Sequence, residues 1–176
     1  TSTDLGTAEV DPDIIQTCLT SNGRLYVLGT ETIQTYQTVG GSTFPFQANP
    51  SATVSRGVAS RFGAVKANNT FYFIGGGDQQ EVSIWQFTGA DAVKVSTPAI
   101  DNFMQAAGNT EITGVFAWSY QTDGEEYVGF TFSNRTFVYQ VNASQRMGRH
   151  IWHERSSEGT RWRVNVIVRA YNKLYA

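Results

Sequence analysis

Four times along the chain a short turn is followed by a strand of aromatic and aliphatic residues. The turns are Asn22-Gly23, Asn68-Asn69, Asp123-Gly124 and Tyr171-Asn172. The strands behind them read Leu25-Tyr26-Val27-Leu28, Phe71-Tyr72-Phe73-Ile74, Tyr127-Val128-Gly129-Phe130 and Leu174-Tyr175-Ala176. Asn-Gly favours a tight hairpin because both central residues of a type I′ turn need positive φ. A self-similar unit of roughly 50 residues, all strands and turns, marks a β-propeller or a similar array.

The pattern predicts an all-β fold, a partial β-propeller of about three to four antiparallel blades with one short inserted helix at about 98–107. Read as a single propeller region over 1–176, the blade modules fall at about 14–37, 62–97, 115–154 and 163–176. In the first module one strand precedes Asn22-Gly23 and two follow it. Val39 to Phe46 then reads as an inter-blade loop anchored by Phe44 and Phe46, and the polar stretch from Ala48 to Gly57 as a contact loop. The second module turns at Gly75-Gly76-Gly77-Asp78 and returns along Val82 to Phe87. Val82, Ile84 and Gln86 share one face of that strand and Ser83, Trp85 and Phe87 the other, so both faces need cover. Its glycine pair after an apolar strand loosely resembles a kelch blade.

The helix carries its own punctuation: Thr97 as cap, Pro98 at the first position, Ile100, Phe103, Met104 and Ala107 at i, i+3, i+4, i+7, and Gly108-Asn109 as its end. The third module turns at Asp123-Gly124 and Ser133-Asn134. The fourth opens on the β-branched run Arg163 to Val168 and stops within a blade. Because a blade without neighbours leaves sheet faces unburied, a longer parent chain or covering partner copies are expected.

Composition supports one β-rich body. With 17 glycines against only 16% charged residues, tight turns outweigh long exposed helices. No run approaches the roughly 18 apolar residues of a membrane span, and no signal segment opens the chain, so a soluble protein is expected. Cys18 is the sole cysteine, which excludes an internal disulfide and a thiolate zinc site. In the alternating run Ile15 to Leu19 it reads as a small buried strand residue.

The net charge of -2 conceals a division. Residues 1–145 carry 6 Lys/Arg against 13 Asp/Glu, a balance of -7, whereas from Arg146 onward 7 bases oppose Glu154 and Glu158, a balance of +5. Such polarity can orient a partner or a neighbouring subunit.

No catalytic, cofactor-binding or metal-binding residues emerge, and no enzyme activity is expected. His150 and His153 in His150-Ile151-Trp152-His153-Glu154 lie three apart, which on a strand points them to opposite sides, and the zinc-protease spacing is absent. His153 and Glu154 beside Arg155 read as a local pairing at a strand end. Ser156 to Trp162 distantly resembles the Asp-box turn of sialidase propellers but lacks the aspartate. Arg56, Arg61 and Arg135 read as loop charges or cross-blade ion pairs, and Gly75-Gly76-Gly77 followed by Asp78 is a turn, not a phosphate loop. Sequons begin at Asn68, Asn134 and Asn142, all read as turn positions.

Several longer strings do point to a family. Leu25-Tyr26-Val27-Leu28-Gly29-Thr30-Glu31-Thr32-Ile33, Gly40 to Gln47, Val95-Ser96-Thr97-Pro98-Ala99-Ile100, and Trp152-His153-Glu154-Arg155-Ser156 before Arg161-Trp162-Arg163 resemble the packaged-DNA stabilisation proteins of short-tailed bacteriophages, also called tail accessory factors, hubs or nozzles. The similarity covers nearly the whole chain in order, as an internal portion of a longer member. It implies a non-enzymatic virion part, assembled in the host cytoplasm as a ring, usually a hexamer, that closes or extends the portal channel and stabilises packaged DNA. Implied partners are portal-ring or adaptor proteins, tailspikes, the tail needle or tip, and passing DNA bound without sequence specificity. On this reading acidic residues such as Asp78 and Glu81 face the channel and the late arginines face protein partners, because attraction at each phosphate would retard ejection. A kelch-like interaction domain and a glycan-binding or sialidase-like propeller are the alternatives.

Overall fold

A computed structural model of the chain describes residues 13–40, 45–76, 81–171 and 173–176. Four antiparallel sheets follow one another in sequence. The first contains β1 (Ile15–Ser21), β2 (Arg24–Gly29), β3 (Ile33–Thr38) and β4 (Phe46–Val54). The second contains β5 (Ala64–Ala67), β6 (Thr70–Gly75), β7 (Ser83–Phe87) and β8 (Ala92–Lys94). The third contains β9 (Phe116–Thr122), β10 (Glu125–Thr131), β11 (Thr136–Gln140), β12 (Trp152–Ser157) and the short β13 (Thr160–Arg161). A two-stranded sheet of β14 (Val168–Ala170) and β15 (Lys173–Tyr175) comes last. Helix α1 (Pro98–Thr113) links the second sheet to the third, and α2 (Val141–Met147) joins β11 to β12.

The repeated turns share one backbone conformation. Asn22, Asn68, Asp123 and Tyr171 have φ of 50°, 55°, 50° and 48°, in the left-handed region that tight hairpins demand. Glu158 and Gly159, at 54° and 77°, make a further such turn where the Asp-box likeness was drawn. Asn172 and Gly77-Asp78, parts of two expected turns, lie outside the described residues, as does Phe44.

The sheets stack face to face. On β6, Phe71 and Phe73 point toward the first sheet and join Tyr26, Leu28, Ile33, Val54, Val58, Trp85 and Phe87 in one core. Tyr72 and Ile74 point the other way, into a core with Ile84, Val128, Phe130, Phe137, Tyr139 and the α1 residues Ile100 and Met104. Period-2 alternation on one strand thus serves two interfaces, as the residues of β7 predict. The first strands of the sheets approach one another most closely: Ala117 donates its N–H to the Phe62 carbonyl at 2.7 Å, and Ser119 Oγ–H to that of Lys66 at 2.7 Å.

Several expectations need correction. Val39 to Phe46 connects strands within the first sheet, and the supposed contact loop is largely β4, paired with β3. Its register breaks between Ile33↔Val54 and Thr35↔Asn49, where Pro50 sits in a bulge on an outer strand that tolerates a missing donor. The helix is interrupted at Gly108 (φ 77°, ψ 171°) but resumes as far as Thr113, and the Thr97 side chain makes no capping bond. The second helix is unexpected. It places Asn142 in a helical first turn, where the N–H groups of Asn142 and Ala143 donate to Glu125 Oε1 at 2.7 and 3.1 Å. Residues 162–167 form no strand, because Trp162 N–H is drawn to Thr136 Oγ1 and Arg163 N–H to Ser157 Oγ. Cys18 is on a strand but exposed, since the alternation that turns Leu19 partly into the core turns it outward.

Candidate interaction surface

Because the third sheet packs on the second through Val128, Phe130, Phe137 and Tyr139, the intervening residues form its opposite face. Register confirms which side chains meet there: Tyr127 lies opposite Tyr120 and Gln140, Gly129 opposite Trp118 and Val138, and Val138 opposite His153. Thr136, opposite Arg155, completes the row.

Arg155 is the centre of this surface. Its guanidinium lies 5.0 Å from the ring of Trp162, 5.2 Å from Tyr120, 5.3 Å from Tyr127 and 5.9 Å from Trp118. Each such contact contributes about 0.5–1 kcal/mol when exposed and more when desolvated. The rings support one another: Trp118 on Tyr120 and Tyr120 on Tyr127 are stacked at 5.8 and 5.0 Å, with Trp162 tilted at 5.0 Å from Trp118. Trp118 lies flat over Gly129, where a Cβ would come within 2.1 Å of the indole, and donates Nε1–H to Thr131 Oγ1 at 3.0 Å.

His153 flanks Arg155. Burial and the adjacent guanidinium lower its pKa, and Arg155 Nε–H points at His153 Nε2 over 3.4 Å. Among the described residues no carboxylate forms an ion pair with Arg155. The nearby acids have other partners, Glu154 with Arg135 at 3.2 Å, Glu158 with Arg163 at 2.5 Å and Glu125 with Arg146 at 3.1 Å.

The other residues weighed from sequence do not converge. His150 Nδ1 meets the Tyr139 hydroxyl at 3.1 Å on the far side of the sheet from His153, which lies 3.2 Å from the Gln140 amide. Glu154 pairs across strands and not with His153. Arg56 stacks over Trp85 at 4.0 Å, Arg135 over Phe103 at 5.3 Å, and Arg61 is exposed at a turn. Glu81 accepts from Gln105 of α1 at 3.5 Å, while Asp78 lies outside the described residues. Among the described residues no group of three or more His, Cys, Asp and Glu is placed to hold a metal ion.

A family model described as bacteriophage P22 Gp10, beta-propeller, matches residues 1–176. The chain belongs to this family. As a member it is a phage structural protein built on a β-propeller, and such a protein assembles with other virion components. No curated protein matches the chain. Among the described residues no helix is long and apolar enough to cross a membrane.

The Arg155 surface goes unnoticed in sequence reasoning because its parts come from β9, β10, β12 and residue 162. One signal was available. Tyr26, Tyr72, Tyr127 and Tyr175 each stand four residues after the first residue of a repeated turn. Tyr26 and Tyr72 lie in the two cores between stacked sheets, so Tyr127 marks the corresponding face of the third sheet.

Proposed function

We propose that the protein is a non-enzymatic part of a bacteriophage tail machine that closes or extends the portal channel, stabilises packaged DNA and provides attachment for other tail components. The observation that carries this reading is the family match along the full chain. Sheets stacked through apolar cores suit a rigid mechanical part. In this reading the chain is one propeller region of a longer protein, its modules built on the four sheets, the first extended beyond 37 to take in β4, and the full protein forms a ring, a hexamer, in the virion tail after assembly in the bacterial cytoplasm. Its partners are portal-ring or adaptor proteins, tailspikes and the tail needle or tip, with DNA passing unbound by sequence. Acidic residues of the first 145, Glu81 among them, face the channel, and the arginines from Arg146 onward face protein.

The test combines DNA retention with electron microscopy. Particles assembled without the protein are expected to lose nuclease protection of their DNA, and complexes with portal-ring proteins to show a sixfold ring below the portal. Full protection without the protein, or density elsewhere on the particle, refutes the assignment.

A further inference from the structure

A groove opens where the first and second sheets meet, at the end that carries the Asn22-Gly23 and Asn68-Asn69 turns. It holds about 310 Å³, at the small end of the roughly 300–1,000 Å³ usual for ligand sites. Both walls are four-stranded sheets. The floor is aromatic: Phe71 and Phe87 are stacked at 4.5 Å, and the Tyr26 ring lies 5.2 and 5.0 Å from them. The rim is polar, formed by Ser21, Asn22, Asn69 and Thr88, and none of the lining residues is charged.

Two features distinguish this groove from a seam between sheets. Tyr26 is 4% exposed, yet its hydroxyl has no hydrogen-bond partner among the described residues. Buried tyrosine hydroxyls ordinarily find one, as Tyr36 does in Gln34 and Tyr139 in His150. With its ring held by Phe71 and Phe87, the oxygen is the part of Tyr26 left to face the groove. The rim is also fixed in place. Ser21 Oγ–H and Asn22 Nδ2–H both donate to the Asn69 carbonyl, at 3.3 and 3.0 Å, which lashes the two turns together, and Thr88 Oγ1–H donates to the Asp91 carbonyl at 2.9 Å. These bonds leave the Asn22 amide oxygen and the Asn69 side-chain amide open to a ligand. An uncharged lining disfavours ions, and an aromatic floor under a polar rim suits a molecule with one apolar face and several polar edges. Hydroxyl groups both donate and accept, so they can answer an amide, an amide oxygen and a phenol alike, whereas a peptide carbonyl only accepts.

We propose that the groove binds a neutral saccharide through a single ring, with the Tyr26 hydroxyl and the Asn22 and Asn69 amides on adjacent sugar hydroxyls and the C–H face of the ring toward Phe87. The hydroxyls supply orientation and the apolar face supplies contact area. The site stands apart from the portal role, so failure of one leaves the other standing.

The full chain, isotope-labelled, can be titrated with methyl glucoside, methyl galactoside and N-acetylglucosamine while its amide resonances are followed by NMR. At least one of the three is expected to saturate, with a Kd of about 1–10 mM and shifts centred on Asn22, Tyr26, Asn69 and Thr88. Tyr26→Phe keeps the ring and removes only the oxygen, so it should weaken binding about two- to tenfold, the worth of one hydrogen bond, and leave the melting transition in place. Asn69→Ala, on the exposed turn, should weaken it similarly without touching the core. No saturation by any of the three sugars, shifts centred elsewhere, affinity unchanged in both variants, or saturable binding of a proline-rich peptide in place of the sugars overturns the proposal.

Discussion

Replacing Gly129 by alanine tests whether the aromatic surface is as tightly fitted as its geometry implies. The new Cβ would lie 2.1 Å from Trp118 Cζ2, 2.2 Å from Cε2 and 2.5 Å from Cη2, far inside contact distance, so the indole must lift off the sheet. Trp118 is 3% exposed and has its Nε1–H on Thr131, so lifting it overpacks one side and breaks that bond. Overpacking costs about 1–3 kcal/mol, and a buried donor left unpaired costs about 1–3 kcal/mol more. Against this, removing a glycine from a strand regains about 0.5–1 kcal/mol. The balance is a loss of about 1–5 kcal/mol, or roughly 2–20 °C in Tm for a chain of this length. Chemical denaturation of Gly129→Ala measures it directly. Trp118→Leu in the same background should recover part of the loss, because the clash and the orphaned donor vanish together, giving a coupling energy of about 1 kcal/mol or more. A Gly129→Ala variant within about 0.5 kcal/mol of the parent, or strictly additive single changes, refutes the fitted arrangement.

Three further outcomes follow from individual groups. Burial pushes the Asp13 carboxyl upward, but hydrogen bonds from Thr30, Glu31 and Thr32 outweigh it and hold the pKa below the ordinary 3.8. With the folded pKa depressed, its contribution is present above about pH 4 and lost as pH falls further; a urea midpoint compared between pH 6 and pH 3 should drop less in Asp13→Asn than in the parent. His153, lowered by burial and by Arg155, is neutral in the fold. Its contribution is full above the ordinary 6.5 and lost on acidification through the folded pKa, so His153→Gln should flatten the decline in stability between pH 7 and pH 5. Ser60, 1% exposed, donates to the Val115 carbonyl at 2.5 Å across the second and third sheets, and Ser60→Ala should lower the unfolding free energy by about 1–3 kcal/mol, with an unchanged value showing that the carbonyl finds another donor.

Which parts of the molecule are legible in its sequence depends on how local their causes are. The hairpin turns are readable because Asn22, Asn68 and Asp123 suit a backbone that few residues adopt. The two-faced strand at Ser83–Phe87 is readable because both of its faces are apolar. The first half of α1 announces itself through Pro98 and its spaced apolar residues, and Gly108 does interrupt it. The fourth strand of the first sheet is not readable. Phe46–Val54 includes Pro50, Ser51 and Thr53 and lacks alternation, and only pairing with β3 makes it a strand. Helix α2 is hidden for a related reason, since its first turn is capped by Glu125, 17 residues before Asn142. Residues 163–167 mislead through their valines, whereas hydrogen bonds to Ser157 and Thr136 decide their path. The Arg155 surface is the least legible part, because no window of sequence contains its rings together.

The outward turn of Cys18 gives the molecule a built-in reporter. Cys18 is the single cysteine of these 176 residues, so a maleimide dye on the isolated chain sits at one known position on β1. Its reaction rate with the isolated chain sets a baseline, and any slowing when another component is added would time the moment at which the flank of the first sheet is occluded.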